Sequence, residues 1–313
     1  MFTATMTDAE IEKEARKDFF ELSTKVQIAI DRFVRMNCNR IDNSNLFGND
    51  GPVNLLKKSV ENRKWKTRRG NEWTSSFRFK NGVGTNIEIE GYLYIPILRE
   101  KGTEYIFQSN LKSPIAERFT MHFIQRYKER HLQPHNIDIG AMPAPLYFQM
   151  HNPNPILGKY YKPADIEIVE GKHKRFWIVR EGIYVTDYIE GMLTYITFMD
   201  KDDLSPLKKQ VYEEEIVWDL IVRVVDKKFS DFERTKAAFS LYSSPDFGRI
   251  FERFCQRNFK DGEEKQKLLS YARTEMVEIK EKLEEMKEKN KQKEKISDRN
   301  AIFSEVFDTK IRR

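Results

Sequence analysis

Residues 174–199 read KRFWIVREGIYVTDYIEGMLTYITFM. Apolar and polar side chains alternate through KRFWIVR (174–180), IYVTDYIE (183–190) and LTYITFM (193–199), and β-branched and aromatic residues dominate. That is the period-two pattern of strands. The joints Glu181-Gly182 and Glu190-Gly191 are short, and each carries a glycine, as tight hairpins need. Strands joined so closely lie side by side in alternating directions. The stretch therefore predicts an antiparallel meander, preceded by IEIVE (166–170) across the joint Glu170-Gly171-Lys172.

Working upstream, WTSSFRFK, NIEIEGYLYIPIL and EYIFQ repeat the alternation and predict further antiparallel strands from Trp73 onward. Before them Thr7 and Glu10 have the spacing of a capping box, and Ile11, Ala15, Phe19, Leu22, Val26, Ile30 and Phe33 recur at threes and fours. This predicts a helix with one buried face, ending near Met36. A loop rich in Asn, Asp and Gly follows at 39–52. Residues 133–165 hold prolines 134, 143, 145, 153, 155 and 163, so little regular structure is expected there.

Beyond Asp200 the chain reads as helical. In its Glu- and Lys-rich part, 263–295, Leu269, Ala272, Met276, Ile279, Leu283 and Met286 follow a 3-4-3-4-3 spacing. That is either the seam of a short coiled coil, hence a site of self-association or of a protein partner, or one amphipathic helix folded back on the body. The expected class is α+β, with an N-terminal helical segment at 1–50, a central antiparallel domain with one packed helix at 51–205, and a C-terminal helical arm at 206–313.

The chain of 313 residues, 39% hydrophobic, is long enough for a packed core, and its net charge of +6 permits an anionic partner without demanding one. Cys38 and Cys255 are the only cysteines, which excludes a disulfide framework or a cysteine zinc cluster and suits a reducing compartment. There is no apolar leader and no run of about 18 uncharged residues, so a cytoplasmic protein without a membrane span is expected.

Two stretches carry candidate chemistry. In FTMHFIQRYKERHL (119–132) and the residue before it, Arg118, His122, Arg126 and Arg130 step by four, forming a slanting stripe beside the apolar Phe119, Phe123, Ile124 and Tyr127. Like charges in a line repel unless an anion, carboxylate or phosphate, sits against them. All five histidines, 122, 131, 135, 151 and 173, fall nearby. The second stretch is KKSVENRKWKTRRGNEW (57–73), where Lys64, Trp65, Lys66, Arg68 and Arg69 mix charge with aromatic surface in the manner of single-stranded nucleic-acid binders. With no HxH, HExxH or Walker-type glycine loop, no metal or other cofactor is expected.

HFIQRYKER followed by REGIYV and LTYIT resembles the spread-out signature of the barnase, colicin and RelE-like ribonuclease toxins, over residues 115–199. The resemblance implies a helix packed on an antiparallel sheet and metal-independent RNA cleavage. It makes His122 a general acid or base, Arg126 and Arg130 phosphate binders, and Thr194 or Thr197 a site-facing group on the last strand, with Thr197 preferred because Tyr195 beside it can stack on a base. The long chain on either side and the proline-rich gap have no counterpart in that group. The rival reading is a non-enzymatic assembly protein of a virus or mobile element, in which the His/Arg stripe satisfies internal carboxylates.

Overall fold

The computed structural model describes residues 1–42, 60–81, 87–108, 115–152, 155–157 and 174–226, and beyond these 244–258 with scattered helical positions up to 281. The strand expected at 166–170, His173 and the 269–286 seam residues lie outside the described residues. The chain divides into two compact units, Met1–Glu215 and Ile216–Arg313. No described helix is long and apolar enough to cross a membrane.

The first unit is α+β, as the patterning predicts. Helix α1 (Asp8–Asp42) begins at the capping box, where the Glu10 amide donates to Thr7 Oγ1 at 3.3 Å and the Thr7 amide to Glu10 Oε2 at 2.7 Å. Strands β1 (Val60–Lys66), β2 (Glu72–Asn81), β3 (Ile87–Arg99) and β4 (Gly102–Gln108) follow as an antiparallel series. The meander supplies β7 (Arg175–Val179), β8 (Gly182–Ile189) and β9 (Met192–Asp200), with β6 (Ile156–Leu157) at its outer edge.

One three-residue strand, β5 (Glu117–Phe119), unites the two series. It is antiparallel to β4 but parallel to β9, giving a nine-stranded sheet in the order β1-β2-β3-β4-β5-β9-β8-β7-β6 among the described residues. Alternation then sorts the core. Leu93, Ile95 and Ile97 pack with Trp73 and Phe77 against the apolar stripe of α1. Tyr92 and Tyr94 face the other way, into an aromatic core shared with α2 (Met121–Tyr127) and α3 (Ala144–His151). The sheet thus carries helices on both faces.

Two expectations change here. The helix expected to start after Ser113-Pro114 starts only at Met121, because Thr120 Oγ1 accepts from the Phe123 amide as its N-cap and also donates to the Tyr195 carbonyl at 2.9 Å, while Arg118 and Phe119 are claimed by β5. The proline-rich gap contains α3, since Pro145 falls in the first helical turn, where no intrahelical donor is lost. Within the basic stretch, Val60–Lys66 form strand β1. In the second unit, Val217, Ile221 and Val224 pack with Leu241, Phe251 and Phe254 around the buried Cys255.

Candidate functional site

The basic stretch is split by strand alternation. Trp65 turns toward α1, half-buried on the core, and its Nε1–H donates to Ser75 Oγ at 2.8 Å. It is an anchor, not a free stacking surface. Lys64 and Lys66 project exposed from the opposite face of β1. Arg69 turns inward against α1, where it pairs with Asp18, Glu14 and Glu21. Arg68, one residue earlier in the β1–β2 turn, keeps its side chain exposed while its amide binds Glu21 Oε1 at 2.9 Å.

The stripe is divided as well. Arg118 is on β5, not on the helix, and its guanidinium is buried between Glu104 and Asp8, with Nε 2.9 Å from Glu104 Oε2. Burial pushes its pKa down, but the hydrogen bonds and charge of Glu104 and Asp8 more than offset this and raise it. Such a group is held by internal carboxylates and has no charge to spare for a ligand. Arg130 donates to the Phe198 carbonyl at 3.1 Å, and Arg126 meets Glu129 at 3.4 Å. His122 is exposed, with no ion-pair partner among the described residues.

Thr197 does not share a face with Tyr195. Val185 pairs with Thr197 but Thr186 pairs with Tyr195, which leaves Ile196 as the extra residue of a β-bulge. The bulge puts Tyr195 and Phe198 together in the aromatic core and turns Thr197 to the opposite face with Val185. Tyr195 is buried, stacked on Phe119 at 4.0 Å, and donates its hydroxyl to Glu117 Oε2 at 3.0 Å. No base can reach it.

Two arrangements among the described residues combine charge with access for a ligand. One is a groove of about 660 Å³ beside α1, lined by Arg16, Lys17, Phe20, Glu21, Lys25, Arg68 and Arg69. Phe20 stands in it 89% exposed. Arg16 pairs with Glu12 and Lys25 with Glu21, whereas the Lys17 and Arg68 side chains have no ion-pair partner among the described residues. The signal was the polar side of α1, where Arg16, Lys17, Phe20 and Lys25 recur at threes, fours and fives next to an aromatic that the buried stripe does not use.

The other arrangement is a histidine–carboxylate cluster at the end of the meander. Gly182 pairs with Asp200, which brings Glu181 of the β7–β8 turn beside the end of β9. Gly182 has φ +156°, and a Cβ there would lie 2.1 Å from the Met199 carbonyl oxygen, so only glycine permits the approach. After α2 the chain makes a π-helical turn (Lys128–Leu132). Tyr127, His131 and His135 follow one another at steps of four. His131 stacks on Tyr127 at 5.3 Å and lies 4.8 Å from the His135 ring.

His131 is buried. Its Nδ1 is 2.6 Å from Asp200 Oδ2 and its Nε2 3.3 Å from Glu181 Oε1. Burial lowers its pKa, but the bonds to Glu181 and Asp200 outweigh that and raise it above the ordinary histidine value. Burial likewise pushes Glu181 up, and donation from His131, Asn152 and Tyr127 brings it below the usual carboxylate range. His135 Nε2, half-exposed, is 3.5 Å from Asp200 Oδ2 and 3.7 Å from Asp202 Oδ2. The sequence signal was a His-x3-His step continuing the buried Phe123–Tyr127 face, overlooked in favour of His122 on the exposed one.

Compared with family models, curated proteins and solved structures, the chain matches none.

Proposed function

We propose that the protein binds single-stranded RNA along the groove of α1 and the β1–β2 turn. The observation that carries this is Phe20, 89% exposed among five cations and one carboxylate. A large apolar ring left in water is costly, yet it is the stacking platform that an unpaired base accepts, and the flanking guanidinium and ammonium groups match the phosphates on either side. Lys17 and Arg68 are the cations with charge to spare.

The test is fluorescence anisotropy with a labelled single-stranded oligoribonucleotide across a salt series. Affinity should fall steeply between about 50 and 200 mM salt, and the double variant Lys17→Gln/Arg68→Gln should reduce the slope of log K against log salt by about 1.4, two phosphate contacts' worth. Phe20→Ala should weaken binding by roughly 1–3 kcal/mol without lowering the thermal midpoint, because the ring supports no core. Absence of binding in wild type at low salt, or a Phe20→Ala variant that binds unchanged, would overturn the reading.

RNA cleavage has narrower support. Of the four side chains the resemblance assigns to it, His122 and Arg126 share the outer face of α2, while Arg130 bonds to a backbone carbonyl and Thr197 lies on the bulged strand. The acid, base and phosphate-binding groups of a phosphodiester cleavage must converge on one atom. Binding without cleavage is the expected outcome when labelled RNA is incubated with the protein and its length is checked on a denaturing gel.

A further inference from the structure

We propose that His131, His135 and Asp200 form a binding site for a divalent transition-metal ion of zinc's kind. Donor atoms of the three residues lie within 4.8 Å of one another. Imidazole nitrogen with carboxylate oxygen is a donor set that zinc accepts at bonds of about 2.0–2.2 Å, so that ligand atoms stand about 3.3 Å apart around a tetrahedral ion. His135 Nε2 and Asp200 Oδ2 are already 3.5 Å apart. The shorter contact of His131 Nδ1 with Asp200, 2.6 Å, has to open by roughly 0.7 Å to reach that spacing, a small pivot of one ring.

Charge favours the ion. Two imidazoles face three carboxylates, Asp200, Glu181 and Asp202, so the cluster has room for positive charge even with one histidine protonated. On binding, the ion takes the place of the proton on His131 Nδ1, which leaves to solvent, while His131 Nε2 keeps its proton and goes on donating it to Glu181 Oε1. That carboxylate is the outer partner a metal-bound imidazole requires, and it is itself fixed by the Tyr127 hydroxyl at 2.7 Å and Asn152 Nδ2 at 2.6 Å. Asp200 is oriented in turn, because its Oδ1 accepts from the Asp202 amide at 2.8 Å. Ligands held this firmly lose little entropy on binding.

The fourth position falls on the side of His135 and Asp202, whose side chains are 36% and 60% exposed. An ion can therefore enter from solvent without opening the core. It would be held by three protein ligands, with Asp202 or water completing the shell.

The experiment uses the tag-free full chain, freed of metal by chelator and titrated with Co²⁺, then with Zn²⁺. Visible absorption bands of tetrahedral cobalt should appear at one ion per chain and vanish as zinc displaces it, and zinc should raise the thermal midpoint. His135→Ala removes a half-exposed ring and should keep the fold, checked by circular dichroism, while lowering cobalt affinity at least about tenfold. Wild type that shows neither the bands nor a thermal shift with excess zinc would overturn the proposal. So would a folded His135→Ala protein that binds cobalt as tightly as wild type.

Discussion

Asp18 has no exposed surface, although it sits on the apolar face of α1, where an isolated carboxylate would cost several kcal/mol. It is tolerated because Arg69, Asn71 Nδ2 at 2.6 Å and Trp73 Nε1 at 2.8 Å all donate to it. Asp18→Ala would leave the buried Trp73 indole N–H without its acceptor and strip Arg69 of its shortest ion pair, leaving it only Glu14 and Glu21, so urea unfolding should show a loss of about 2–4 kcal/mol. A loss below about 1 kcal/mol would mean that the network relaxes onto water. Nothing local in the sequence announces this residue: it stands three after Ala15 and four before Leu22, on the buried stripe, but its partners lie more than fifty positions away. The histidines pose the same problem. His122 and His131 look alike in sequence, and only the register of β8 with β9 places carboxylates around the second.

At the scale of elements, α1 and strands β2, β3, β4, β7, β8 and β9 were legible because each repeats its own period long enough to be counted. β5 and α3 were not: three residues hold less than two periods of alternation, and prolines mask a helix when one of them falls in its first turn. The bulge at Ile196 was equally hidden, since it is a property of the pair of strands. The capping box, by contrast, yields a direct prediction. Thr7→Ala should cost about 1 kcal/mol of stability in a denaturant titration. Glu10 is held below its ordinary carboxylate value, first by the Thr7 amide and then by the Thr7 hydroxyl. Its contribution is thus complete above the ordinary value of 4.5 and is lost as pH falls through the lower folded one. The stability difference between wild type and Glu10→Gln should accordingly shrink on acidification below about pH 4; a difference that stays constant down to pH 2 would exclude the linkage.

For the whole molecule, the three buried apolar clusters draw on no residue beyond Cys255 among those described. Deleting 263–313 should therefore leave the cooperative thermal transition in place, with a midpoint within a few degrees of the full chain; its disappearance would make the Glu- and Lys-rich segment part of the core. The junction of β5 with β9 bears on how this fold is reached. Each half of the sheet is built of hairpins and near neighbours in sequence, which form early. The three-residue parallel ladder between them must instead wait for the closure of a loop of about 70 residues, an entropic cost of roughly 4 kcal/mol. Until it closes, both halves present a bare edge where strands should meet. In a crowded solution that edge can be completed by the matching half of another copy, so this three-residue strand sets the race between correct folding and exchange of halves between molecules.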